Sequence, residues 1–435
     1  MSFLFIARGR PVIVASLLFV LCRAAVAADT PLTLGEAQQR AVQQSRLLAA
    51  KDFSATAASE MALAAGRLPD PVLKFGVDNL PVDGPDRFSL TRDFMTQRRV
   101  GLMQELTRGD KLRSRAERFQ REAEKSSAEK TATTATIQRD TALAWLYRYY
   151  AEAMAAVVAD QAAQARLEIQ AAEAAYRANR GGQADIIAAR SALVAFDDRS
   201  SEIGRRVGNA TVMLARWIGA DAQRPLAGKP DTDSVHLDGA TLDTQLGHHP
   251  AIAILGKQAE IAAADARLAQ ANTKADWSVE LAFQQRGPAY ANMLSLGVSV
   301  PLQWDRKNRQ DREVSARLAQ VEQANAERDD ALRAHIAEVR SLLNEWHNNR
   351  ERQARYQREL IPLAASRSTA ELAAYRGGKA SLAAVLAARR AEVDARLQAL
   401  QLEADTARLW AQLNFLFPLD QASRAAPVSM HKDSK

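Results

Sequence analysis

Cysteine is nearly missing: among 435 residues only Cys22 carries a thiol, and it lies close to the N-terminus. Beyond it, disulfides within one chain, thiolate metal sites and cysteine nucleophiles are excluded. Glycine and proline are missing from two long stretches, residues 110–180 and 302–361. A helix through the first would be on the order of 100 Å long at ~1.5 Å per residue, far beyond a compact domain, so a single ordinary globule is disfavoured. After the first 27 residues no run approaches the ~18 apolar residues that a membrane-crossing helix needs. There is no phosphate-binding glycine loop, dinucleotide fingerprint, nucleophile elbow or paired-acid loop, so an enzyme is not expected. His236, His248, His249, His335, His347 and His431 lack metal-ligand spacing. No metal site and no cofactor are expected.

What is present begins with a leader. Residues 1–27 contain Arg8, Arg10 and Arg23 but no acid, an apolar run from Val12 to Leu21, and Ala25-Val26-Ala27. These are the basic, apolar and small-x-small regions of a secretory signal peptide. A lipid-anchored alternative would use Cys22, but Phe19-Val20-Leu21 lacks the small residues such a processing site has. Loss of the three arginines takes the formal net charge from +7 to +4, so basicity gives little support to a nucleic-acid partner, and none is expected.

The rest divides into two similar halves, 28–219 and 240–417, with a Pro/Gly/Asp-containing connector at 220–239 and a polar tail at 418–435. Ala175-Tyr176-Arg177 and Ile186 to Arg190 recur, at one offset of 199 positions, as Ala374-Tyr375-Arg376 and Val385 to Arg389. Each half is expected to run as an Ala-rich helix (Leu34 to Arg67, Leu242 to Asn272), two strands, a long helix, a Gly-Gly turn and a return helix. The return helices should cover about Gln183–Trp217 and Ser381–Phe417. Leu332, Ile336, Val339, Leu343 and Trp346 step by four and three, and Leu143, Leu146, Tyr150, Met154 and Val157 nearly so, which is coiled-coil spacing.

The strands are clearest near 277–302. Trp277, Val279, Leu281 and Phe283 alternate with polar or small residues, as do Leu294, Leu296, Val298 and Val300. Weaker counterparts are Val72–Asp78, with Leu73, Phe75 and Val77 on one side, and Val100–Leu106. Such strands could be edge hairpins of a soluble α+β domain. Their length, the wet character of Glu280, Ser295, Gly297 and Ser299 opposite, and the pairing of Trp277 with Trp304 at one end favour a membrane-facing reading. Open edges cannot face lipid and four strands are too few to close a barrel, so several chains would have to share one.

These features together resemble the TolC-like outer membrane factor family of tripartite efflux systems, over nearly the whole chain after the leader. Leu32 to Ala37 and Leu413-Asn414-Phe415 mark the ends of the resemblance, and Leu68-Pro69-Asp70-Pro71, Asp78-Asn79-Leu80-Pro81 and Val100 to Leu106 leading to Lys111 and Arg113 bring it nearest to the heavy-metal (cobalt–zinc–cadmium) type. It implies a mainly helical homotrimer whose four strands per chain make a 12-stranded outer-membrane barrel above a periplasmic helical tunnel. It also implies a periplasmic adaptor, an inner-membrane antiporter of the RND type, and contact with outer-membrane lipid. On this resemblance Tyr176, Gly181, Gly182, Asp185 and Ile186, with Tyr375, Gly377, Gly378 and Val385, are tip residues that dock the adaptor. Asp185, Tyr375 and Lys379 are gate residues, Lys379 being displaced by one position from the family pattern and Ala384 standing where an acid is common. Asp185 reads equally as a helix N-terminal carboxylate. The competing readings are a drug or type I secretion duct of the same fold, a non-channel periplasmic scaffold, and an enzyme for which no catalytic residues are found.

Overall fold

The computed structural model describes residues 30–179, 181–235, 237 and 241–419. The leader (1–27), most of the polar tail, His236 and His431 lie outside the described residues. The chain runs through α1 (Leu34–Gln44), α2 (Arg46–Ala65), β1 (Val72–Asp78), β2 (Gln97–Leu106), α3 (Gly109–Arg177) and α4 (Gln183–Ile218). It continues through α5 (Leu242–Gly247), α6 (Pro250–Asn272), β3 (Trp277–Gln285), β4 (Met293–Ser299), α7 (Gln310–Arg355), α8 (Ile361–Arg376) and α9 (Leu382–Asn414). The first half thus runs two helices, two strands and two helices, and the second two helices, two strands and three helices.

Each opening Ala-rich segment is two helices rather than one. Ser45 breaks the first with an extended backbone and caps α2 by accepting from the Leu48 N–H at 3.3 Å. In the second, Pro250 takes the first position of α6, where its missing N–H costs nothing, and His249 is the N-cap. The Gly/Pro-free stretch from Leu302 becomes helical only at Gln310, because 304–309 form turns. At its other end the helix passes Pro362: residues 356–360 widen into a π turn just before the ring. That local widening is how a helix absorbs a proline without stopping.

The four strands form one antiparallel sheet in the order β1-β2-β3-β4, so the two expected pairs are joined by β2 against β3. Strand β2 starts at Gln97, three residues before the expected Val100, and is long enough to face both β1 and β3. Val300 falls one residue beyond β4 and is not a strand residue.

Upper helices lie side by side in the order α2, α3, α6, α7; lower down the order is α4, α3, α9, then α7 and α8. The largest core sits at the middle of this slab around Trp145, which is buried with Leu32, Tyr150, Leu214, Leu246, Val339, Trp346 and Leu409. Trp145 donates its indole N–H to the Leu32 carbonyl at 3.1 Å, and Leu32 bonds through its backbone to Pro225 and Ala227 in an isolated bridge. Both coiled-coil stripes face inward: Leu332, Ile336, Val339, Leu343 and Trp346 join this core, and Met154 and Val157 a second one lower down. Many of the buried positions are alanines, which let the helix backbones approach closely.

Candidate functional site

Register places the apolar strand residues in continuous rows on one face of the sheet. Leu73, Leu102, Leu281 and Leu296 are successive partners across all four strands, and so are Phe75, Val100, Phe283 and Leu294. These residues are 46–74% exposed in the single chain. Trp277, Val279 and Val298 continue the face toward the helices, and Trp277 (54% exposed) and Trp304 (88% exposed) lie at that end.

The opposite face is polar. Glu280 forms an ion pair with Lys74 at 2.7 Å and another with Arg99, which also reaches Asp78 at 3.7 Å. Ser295 donates to Gln284 at 2.9 Å on the same face. A sheet of this kind has one side suited to hydrocarbon and one to water, and its outer strands β1 and β4 each leave an unpaired edge. None of the described helices is long and apolar enough to cross a membrane.

At the far end of the slab are the two helix tips. Tyr375, Gly378 and Lys379 close α8 with a double bond pattern: the Gly378 N–H donates to the Tyr375 carbonyl at 3.0 Å and the Lys379 N–H to the Ala374 carbonyl at 2.8 Å. Gly378 has φ +71°, the left-handed conformation this motif requires. In the first tip the left-handed residue is Asn179 (φ 58°), not a glycine, and its N–H donates to the Tyr176 carbonyl at 2.9 Å.

The two Gly-Gly pairs are therefore not equivalent. Asn179 and Gly378 occupy the same turn position and lie 199 residues apart, as do the N-caps Gly182 and Ser381. Gly377 is instead the C-cap residue of α8. At Gly181 space is tight, since a Cβ there would come within 3.3 Å of the Ala175 Cβ.

Asp185 accepts from the Gly182 N–H at 3.1 Å, so its carboxylate serves as the cap of α4. No side-chain hydrogen bond or ion pair joins Asp185, Tyr375 and Lys379 to one another within the chain. Lys379 and Tyr176 are exposed, whereas Tyr375 and Ile186 are partly covered.

Val385 is fully buried with Ala172, Ala189 and Leu382, so it is packing between the two hairpins and not a docking surface. The reason is helical period: 382, 385 and 388 fall on the α9 face turned toward α3 and α4. Just above, Glu168 of α3 forms an ion pair with Arg389 of α9, both largely covered. Burial pushes the Glu168 carboxyl above its ordinary value, and Arg389 pulls against that shift.

Sequence spacing also missed His249 and His335, 86 positions apart, whose rings meet at 4.2 Å between α6 and α7. Burial, with His335 adding to it, pushes His249 down to about 4, so it is neutral at ordinary pH. Among the described residues no group of three or more metal-ligating side chains gathers.

The sequence matches no protein-family model. No curated protein matches it either. Solved structures share its fold. The outer-membrane channel OprN is 16% identical, with a TM-score of 0.74 over 89% of this chain and 90% of its own. The outer membrane protein VceC of Vibrio cholerae is 16% identical, with a TM-score of 0.71 over 88% and 95%. CusC, described for its transmembrane channel formation, is 14% identical, with a TM-score of 0.76 over 89% and 92%. The chain thus has the fold of outer-membrane channel proteins, mostly helical with four antiparallel strands.

Proposed function

We propose that the protein is the outer-membrane duct of a tripartite efflux system, a passive exit channel assembled as a homotrimer. The observation that carries this reading is the sheet: apolar rows exposed on one face, ion pairs and hydroxyls on the other, and two open edges. One side runs β1, α2, α4 and the other β4, α7, α8, so adding copies edge to edge pairs strand with strand and helix with helix. Four strands cannot close alone, and three copies would supply twelve. The apolar rows then meet outer-membrane lipid and the Glu280, Lys74 and Arg99 face lines a wet lumen, above a tunnel of helices in the periplasm.

The two halves, 28–219 and 240–417, act as quasi-equivalent repeats joined by the 220–239 connector, each delivering one hairpin tip. The tips around Tyr176, Gly181, Gly182, Asp185, Ile186, Tyr375, Gly377 and Gly378 dock a periplasmic adaptor, and an inner-membrane RND antiporter supplies energy and selectivity. Asp185, Tyr375 and Lys379 gate the tip by pairing between neighbouring chains. Heavy-metal cations are the proposed cargo, on the strength of the sequence resemblance.

The test is a deletion strain scored for sensitivity to zinc, cobalt, cadmium, nickel, copper and silver beside a panel of dyes and antibiotics, with fractionation of the native protein. Heat-modifiable trimers in the outer membrane together with metal sensitivity support the reading. Sensitivity confined to dyes and antibiotics moves the cargo to drugs, and a soluble periplasmic product overturns the duct.

A further inference from the structure

The free edges of the sheet are β1 over Val72–Asp78 and β4 over Met293–Ser299. Apolar side chains are barer there than in the middle: Phe75, Leu294 and Leu296 are 71–74% exposed, against 46–50% for Val100, Leu102, Leu281 and Phe283. What the central residues have and the outer ones lack is a flanking strand on both sides. If each row simply repeated in the next copy, Leu73 would face Leu296, Phe75 would face Leu294 and Val77 would face Asn292. That straight junction sets an amide against the apolar face, and it calls on 291–292, which precede β4.

A closed barrel also forbids a straight junction, because strands tilted by about 35–45° must be staggered around the circumference. Twelve strands about 4.8 Å apart, rising about 3.4 Å per residue, need a total stagger of roughly 12–17 residues at that tilt. Direct partners define the rows, so the ladders inside one chain add none of it. Three equal junctions must supply the whole, and each step must be even to keep the apolar residues on one face. A step of about four brings the total to about twelve, inside that range, and a step of about six to about eighteen, outside it.

The direction of the step follows from what lies beyond each end of β4. Toward the outer loops the chain is folded on itself: the Tyr290 N–H donates to the Gly287 carbonyl at 2.9 Å, and Gly287 lies so near Thr91 that any Cβ would strike the Thr91 carbonyl. Toward the helices, 300–303 lies in no strand or turn, and the alternation continues with Val300 and Leu302, 37% and 66% exposed. The smaller step in this direction sets Leu73 against Val300, Phe75 against Val298 and Val77 against Leu296, apolar against apolar throughout. On the polar face Lys74, Gly76 and Asp78 meet Ser299, Gly297 and Ser295, small partners for the two charged side chains.

We infer that β1 of each copy pairs with β4 of the next in this shifted register, Val72–Asp78 lying opposite 295–301 and Phe75 opposite Val298. The inference rests on the trimeric duct reading and names the contact by which the barrel closes. Cysteine pairs test it, because Cys22 is the only native thiol. A Cβ at Gly76 or Gly297 meets nothing closer than 3.9 Å, so Gly76→Cys/Gly297→Cys adds thiols to the polar face without displacing a neighbour. Phe75→Cys/Val298→Cys probes the apolar face, and both kinds of directly opposed pair lie within disulfide reach.

Full-length variants are expressed in the native host, and outer-membrane fractions are oxidised and run on denaturing gels without reductant, each single-cysteine variant serving as control. The two direct pairs should give covalent trimers that reductant dissolves. Their yield should be about tenfold that of the straight-register pairs, Gly76→Cys/Met293→Cys and Phe75→Cys/Leu294→Cys, and of the larger-step pairs, Gly76→Cys/Ser299→Cys and Phe75→Cys/Val300→Cys, whose thiols lie too far apart. A higher yield from any of these four, or no crosslink between chains from the direct pairs in assembled protein, overturns the register. Should the Phe75 variants fail to reach the membrane, the Gly76 series decides. Absence of the native protein from the outer-membrane fraction, or an oligomer other than a trimer, is a separate result, which sinks the duct itself.

Discussion

Asp276 and Lys111 are a covered ion pair, 2.6 Å apart with side chains 16% and 6% exposed, that ties the strand-bearing end of the second half to the start of α3 in the first. The same carboxylate accepts from the Arg108 N–H at 3.0 Å, so one side chain fixes the turn where sheet becomes helix. Leu106 pairs with Trp277 immediately above. This joint sets the direction in which the long helices leave the sheet.

Removing one partner of a covered pair leaves the other charge uncompensated. Asp276→Ala should cost about 3 kcal/mol, read as a lower dissociation temperature of the detergent-solubilised oligomer. The pH sign is fixed by the direction of the shift. Burial raises the Asp276 carboxyl, but Lys111 and the Arg108 amide lower it by more, leaving it below its ordinary 3.8. Its contribution is therefore complete above pH 3.8 and lost as pH falls through the lower folded value. Asp276→Asn should flatten that acid limb.

Glu168 gives the opposite slope. Its carboxyl is raised above 4.5, so the folded chain holds the proton more tightly than the unfolded one. Stability is then fully present below pH 4.5 and declines as pH rises through the folded value. Hydrogen exchange at the hairpin tips from acid to neutral pH should show this trend in the native protein and lose it in Glu168→Gln. Arg389→Met, which strands the buried carboxylate, should loosen the tips at neutral pH by about 2 kcal/mol.

The tip glycines separate folding from docking. A Cβ on Gly182 meets nothing closer than 3.9 Å, so Gly182→Leu should leave the chain and its oligomer intact. Loss of efflux in that variant would come from a partner, and unchanged efflux would remove Gly182 from the docking surface. Gly378→Val is different: a branched residue at φ +71° should cost about 1–2 kcal/mol and unravel the end of α8 whether or not a partner is present.

The two faces of the sheet should tolerate charge unequally. Leu281→Arg, in the middle of the leucine row, should cost about 2–4 kcal/mol and deplete oligomer from the outer membrane. Ser295→Arg, one row away on the polar face, should assemble normally. Equal outcomes would mean that the apolar face does not meet lipid.

Much of the architecture was legible in the sequence because the periods are local. Alternation in Trp277–Phe283 and Leu294–Val298 marks strands, and the four-three steps of Leu332 to Trp346 mark a buried stripe, since each depends on how one element presents its own residues. The turns were less legible. A Gly-Gly pair looks the same in both tips, yet the left-handed position falls to Asn179 in one and Gly378 in the other, and only the αL hydrogen bonds tell them apart. Val385 looked like a surface step beside a turn because burial depends on a neighbouring hairpin that the local pattern does not contain.

By itself the sequence determined that this chain forms long rods, short one-sided strands and two tips, because glycine, proline and apolar spacing act within a few residues. Only the tertiary structure decided that β2 pairs with β3 across more than 170 positions, that the Arg98 guanidinium donates to the Arg286 carbonyl, and that the Asp276 carboxylate grips Lys111. Those contacts join residues far apart in the chain, and what brings them together is the common sheet and helix slab, whose register is set by all its elements at once.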